Sequence, residues 1–161
     1  MKKFILILFL TTGVYGFTNS SETGSEKLSD VQLQFIKDNF NWNSEGLLIV
    51  NFRQPRNKCP YNQYKNLEKS YEWWVKNYSD LDLENIHNIY VYSNSKKSEA
   101  MIDGKNHFAD LHNFFLTNFF SNDETCYGVL VINKRGEYRK KAGEYRKTEV
   151  REFINRLKQE L

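Results

Sequence analysis

Gly46-Leu47-Leu48-Ile49-Val50-Asn51-Phe52 is a strand-length run that is apolar at almost every position, rather than at every second one. A strand with that pattern is covered on both faces, as in a sheet sandwiched between helices. A polar loop follows over residues 54–58, and then Cys59-Pro60. Proline is favoured at the first helical position, which places Cys59 at an N-cap. From there Tyr61, Tyr64, Leu67, Tyr71, Trp74, Val75 and Tyr78 recur every three or four residues. That spacing predicts an amphipathic helix of about 17 residues.

Reading outward, Ser29-Asp30 predicts the cap of a short helix carrying Val31, Phe35 and Ile36 on one face. A second strand is predicted over 87–92, followed by a polar loop over 93–105. Phe108, Leu111, Phe115 and Phe119 form a stripe that predicts a helix over 107–120. Residues 127–132 read as a third apolar strand. Asn133-Lys134-Arg135-Gly136 is a hairpin signal, so 137–142 is an antiparallel fourth strand. Thr148 is placed to cap a last helix that turns Val150, Phe153, Ile154 and Leu157 inward. Strand–helix alternation implies parallel pairing, with the final hairpin antiparallel. The fold class is α/β.

The N-terminus carries a different message. Met1-Lys2-Lys3 is cationic, Phe4 to Leu10 is uncharged and apolar, and Val14-x-Gly16 has the spacing of a cleavage site. Residues 1–16 therefore read as a secretory signal peptide. The apolar run is too short for the ~20 residues that span a bilayer, so no stable membrane anchoring is expected after signal removal. Residues 17–27 are polar and read as a flexible leader; 28–161 form one domain. Removing the first 16 of 161 residues leaves about 145, the size of a single domain. The formal charge of +3 includes Lys2 and Lys3, so the exported product is nearly neutral. That balance gives no general argument for nucleic acid or membrane surfaces.

Local motifs are sparse. Gly136-Glu137-Tyr138-Arg139-Lys140 recurs as Gly143-Glu144-Tyr145-Arg146-Lys147, and residues 134–147 hold seven Lys or Arg against two Glu. The segment reads either as a basic edge for an acidic partner or as an edge strand whose cations discourage aggregation; the second is favoured. His87, His107 and His112 lack metal-ligand spacing, since 107 and 112 are five apart rather than four. No phosphate-cradling glycine loop, paired-carboxylate motif or Ser/His/Asp signature stands out, so no cofactor and no metal are expected. Trp73-Trp74 on the long helix reads either as an aromatic binding surface or as core, and at helical spacing at least one belongs to the core; the core reading is favoured. Asn19-Ser20-Ser21 and Asn77-Tyr78-Ser79 match glycosylation sequons, which are not read as function.

The segment Val129-Leu130-Val131-Ile132-Asn133-Lys134-Arg135-Gly136-Glu137-Tyr138, continuing through Ala142-Gly143 to the helix at Thr148, resembles the strand–turn–strand of exported thioredoxin-like and peroxiredoxin-like proteins. Val50-Asn51-Phe52 falls where that family has its first central strand. The resemblance implies a thioredoxin-like three-layer α/β/α sandwich with a mixed sheet of about four strands. The family's catalytic residues do not carry over. Cys59 has no partner two residues away, Arg56 stands where peroxiredoxins have a threonine, and Tyr127 stands where they have an arginine. No proline follows Pro60, although thioredoxins place one before the late strand.

The same resemblance makes Cys59 and Cys126 neighbours, because the helix start after the first strand faces the loop before the late strand. Three readings follow: a structural disulfide, a redox-cycling pair, or two free thiols. Export favours a bridge, since disulfides persist outside the reducing cytosol. The redox reading draws on the helix start behind Cys59 and on Arg56 and Lys58 beside it, which stabilise a thiolate. The preferred expectation is a periplasmic or secreted, non-enzymatic binding or accessory module held by a Cys59–Cys126 disulfide, with a protein partner and no nucleic acid. The alternative is a divergent thiol–disulfide oxidoreductase or redox sensor, with Cys59 attacking and Cys126 resolving. The sequence assigns no oligomeric state.

Overall fold

The computed structural model describes residues 26–54, 59, 64–93, 95–120 and 125–160. The expected signal peptide and all but the last two residues of the expected leader lie outside them. Six strands form one mixed sheet: β1 (Glu26–Lys27), β2 (Leu47–Arg53), β3 (Ile86–Tyr92), β4 (His107–Ala109), β5 (Tyr127–Ile132) and β6 (Glu137–Ala142). Their order is β1-β6-β5-β2-β3-β4. The α-helices among the described residues are α1 (Asp30–Asn39), α2 (Leu67–Tyr78), α3 (Ser95–Ser98), α4 (Phe114–Phe119) and α5 (Lys147–Gln159).

All seven residues of β2 are buried, as its continuous apolar pattern predicts. Because side chains alternate along a strand, Leu48, Val50 and Phe52 join the core beneath α1 and α4. Leu47 and Ile49 join a second core beneath α2 and α5, with Trp74, Tyr78, Val150, Ile154 and Leu157. The α/β class is thus realised with helices on both faces.

Several expectations are corrected. The sheet has six strands rather than about four. Glu26 and Lys27, expected at the end of a flexible leader, pair with Tyr138 and Glu137. The third apolar strand, expected parallel, runs antiparallel to β2 with Val50 opposite Leu130; among the described residues only the β2–β3 and β3–β4 pairs are parallel. Val31 is 81% exposed rather than core-facing, and Val75 is also exposed. The long helix after Cys59 begins as regular α-helix only at Leu67, after a 3₁₀ turn at Tyr64–Asn66; Pro60 and Tyr61 are outside the described residues. The last helix starts at Lys147, not after Thr148, and the Arg146 amide donates to Glu149 Oε2 at 2.8 Å.

The largest correction concerns 107–120. His107-Phe108-Ala109 is a strand, paired with Tyr90-Val91-Tyr92. His112 and Asn113 then take positive φ, both 54°, which ends any continuous helix. Phe108 and Phe115 share a core from two different elements, which mimics a helical stripe in one dimension. Asp110 organises the join. Its Oδ1 accepts from Phe115 N at 2.8 Å and its Oδ2 from Leu116 N at 3.0 Å. Burial outweighs these bonds and raises its carboxyl from the ordinary 3.8 to about 6.

A carboxyl with a raised folded pKa binds a proton more readily when folded. Its contribution to stability is complete below pH 3.8 and is lost as pH rises through about 6. Asp110→Asn should remove that slope. The stability difference between wild type and variant should therefore change by on the order of 3 kcal/mol between pH 4 and pH 7. Urea unfolding at the two pH values measures it; parallel pH profiles for both proteins would contradict the assignment.

Candidate functional site

The two residues singled out from the sequence meet at the C-terminal end of β2. Cys59 and Cys126 form a disulfide, with Cα atoms 5.9 Å apart across 67 residues of chain. Cys126 immediately precedes β5, and its carbonyl accepts from Gln54 N at 2.8 Å, which continues the β2–β5 ladder by one step. Cys59 is 1% exposed, whereas Cys126 is only half-buried. Arg56 and Lys58, expected beside Cys59, lie outside the described residues.

Directly before this junction lies a cluster that the sequence reading passed over. Arg53, the last residue of β2, is 2% exposed. The same side-chain alternation that points Leu47 and Ile49 into the α2–α5 core points Asn51 and Arg53 there too. The Arg53 guanidinium carbon lies 5.1 Å from the Trp74 ring centre, 5.6 Å from Tyr90 and 5.7 Å from Tyr127. Its Nη1 donates to the Phe52 carbonyl at 2.8 Å, and Nη1 and Nη2 both reach the Tyr145 hydroxyl at 3.3 Å. Among the described residues, no carboxylate forms a salt bridge with it.

Burial works against this charge. The Tyr145 hydroxyl that accepts from the guanidinium works for it, and the net effect holds the pKa above its ordinary value, so Arg53 is a cation. Cation–π contacts contribute roughly 1–2 kcal/mol each when desolvated, enough for three rings to stand in for a counter-ion. The hydrogen bonds run in one direction. Tyr145 accepts from Arg53 and donates to Asn51 Oδ1 at 3.4 Å, and Tyr78 donates to the same oxygen at 3.1 Å. That orients the amide, whose Nδ2 donates to Ile89 O at 2.9 Å and Asn88 Oδ1 at 2.7 Å. Burial holds the Tyr78 and Tyr90 phenols well above their ordinary range, so both are neutral.

The Gly-Glu-Tyr-Arg-Lys repeat is not a structural repeat. Both glycines take positive φ, at 81° and 82°, but Tyr138 joins the α1–α4 core and Tyr145 the opposite one, stacked on Trp74 at 4.6 Å. Its cations are largely matched by acids: Arg139 with Glu160 at 2.9 Å, Lys141 with Glu149 at 3.4 Å, Lys147 with Asp80 at 2.8 Å. Trp74 is buried and Trp73 is 57% exposed. The three histidines are not brought together. His107 is buried, its Nδ1 3.0 Å from the Tyr92 hydroxyl, and burial lowers its pKa despite Asp103 nearby. Among the described residues no group of three or more His, Cys, Asp or Glu is arranged to hold a metal ion. Between α5 and the loop after α2, Asp80, Asp82, Arg151 and Lys158 line a cleft of about 210 Å³.

Arg53 and Asn51 left one signal in the sequence: Asn51 interrupts the apolar run and Arg53 ends it while both still lie in strand register. Comparison of the chain with protein-family models and with curated proteins gives no match.

The cluster makes a sharp stability prediction. Tyr145→Phe removes the hydroxyl that accepts from a buried cation and should cost about 1.5–3 kcal/mol. Arg53→Met, which keeps most of the side-chain volume and removes the charge, should cost about 2 kcal/mol less than Arg53→Ala, which leaves a cavity. Denaturant midpoints test both; equal losses for the Met and Ala variants would show that the charge, not the packing, is what the rings require.

Proposed function

We propose that this chain is an exported thioredoxin-like domain acting as a non-enzymatic binding or accessory module, with the Cys59–Cys126 bridge as a structural staple. The thioredoxin-like reading is supported by the four strands β6-β5-β2-β3: β2 and β3 are parallel, β5 is antiparallel to β2, and β6 is antiparallel to β5. Placement in an oxidising compartment is supported by the bridge itself.

The observation that carries the non-enzymatic reading is the 1% exposure of Cys59. In the alternative, Cys59 attacks a disulfide in another protein and Cys126 resolves the mixed species. Such an attack needs the thiolate at the surface. A sulfur buried to that degree is out of reach of a disulfide in another protein. The bridge also closes a long loop, which in the chain-entropy model contributes roughly 4 kcal/mol by restricting the unfolded chain.

Cys59→Ala combined with Cys126→Ala should lower unfolding stability by roughly 4 kcal/mol. The wild-type protein should not accelerate insulin reduction by dithiothreitol above the uncatalysed rate. Catalysed insulin reduction that is lost in Cys59→Ala would reverse the reading in favour of the oxidoreductase.

A further inference from the structure

The bridge is chemically lopsided, and this consequence does not depend on whether the domain is an accessory module or an enzyme. Thiol–disulfide exchange begins with attack on one sulfur along the bond, and access is one of the factors that decide which sulfur is attacked. Cys59 is 1% exposed, with its Sγ 3.8 Å from the Gln54 carbonyl oxygen. Cys126 lies at the entrance to β5, half-buried, next to the half-buried Tyr127. Its backbone is pinned through Gln54 N to Cys126 O at 2.8 Å.

From this difference we infer that Cys126 is a site of S-thiolation by small monothiols of the glutathione class, with Cys59 as its buried resolving thiol. The incoming thiolate forms a bond to Cys126 Sγ, and the Cys59–Cys126 bond breaks with its electron pair on Cys59 Sγ. Cys59 then takes a proton from solvent. In the reverse step Cys59 gives up that proton, re-forms the bond to Cys126 Sγ and expels the small thiolate. One disulfide is consumed and one formed in each step, so no external oxidant or reductant enters. The polarity is opposite to the one the sequence resemblance implies, where Cys59 would carry the mixed disulfide.

Proximity determines how the adduct decays. The released Cys59 thiol stays beside Cys126, since their Cα atoms are 5.9 Å apart, so its return to the bridge is an intramolecular step favoured by a high effective concentration. The modified form should therefore build up only in excess monothiol and revert when it is removed.

The test treats native, oxidised protein with excess reduced glutathione, quenches in acid, blocks free thiols with N-ethylmaleimide, and maps adducts after peptic digestion. A parallel sample in guanidinium chloride reports the two sulfurs with access equalised. Glutathione should be found on Cys126 and maleimide on Cys59, in about tenfold excess over the converse in the native sample, with the preference collapsing on denaturation. Glutathione on Cys59, equal labelling in native protein, or no native adduct under conditions that modify the denatured chain would each overturn the proposal. A separate check uses free thiols: in Cys59→Ala the Cys126 thiol should react with a maleimide about tenfold faster than the Cys59 thiol in Cys126→Ala. Equal rates in folded samples, monitored by circular dichroism, would count against it.

Discussion

Burial of β2 on both faces is the constraint on which the rest of this structure depends. A strand with no solvent face must be paired on both edges and covered by helices above and below. Strands β3 and β5 supply the pairing, α1 and α4 one cover, and α2 and α5 the other. The same constraint turns Asn51 and Arg53 into a local problem, because polar groups without access to water must find partners inside. The solution is the chain from Arg53 through Tyr145 to Asn51, closed by three aromatic rings. Tyr145 comes from the approach to α5 and Trp74 from α2, so this cluster ties together the elements that cover one face.

The sheet ends are handled differently from its centre. An exposed strand edge invites pairing with another chain. At the β4 edge His107 is already occupied: its amide donates to Asp103 Oδ1 at 2.9 Å and its carbonyl accepts from Asp103 and Gly104 amides at 3.1 Å. Strand β4 is also only three residues long. At the opposite end β1 covers the start of β6, and Tyr138 donates to Glu26 at 2.7 Å. The cations of β6 that the sequence marks as a feature are there engaged with acids from neighbouring elements.

What the sequence made legible follows from the range of the forces involved. The apolar run at 47–52, the hairpin turn at 133–136 and the stripe of α5 are local patterns, and each element appears where its pattern lies. Residues 107–120 misled because Phe108 from a strand and Phe115 from a helix both pack on Phe40, which no one-dimensional period distinguishes from a single helix. The antiparallel direction of β5 is a property of topology and leaves no mark in the strand itself. Cys59 and Cys126 were legible as a pair only through the resemblance. Arg53 was not legible as a buried cation, since its three rings come from residues 74, 90 and 127.

In its proposed role as a staple, the bridge would stabilise the whole domain by restricting the unfolded chain, rather than gating its own neighbourhood. Hydrogen exchange along β2, in oxidised protein and after full reduction, distinguishes these most directly. A staple acting on the unfolded state should speed exchange at Leu48, Val50 and Phe52 by the same factor as at Arg53 and Gln54, about a thousandfold for roughly 4 kcal/mol. Faster exchange confined to Arg53, Gln54 and Tyr127, with Leu48 and Val50 unchanged, would contradict it and make the bridge a local switch.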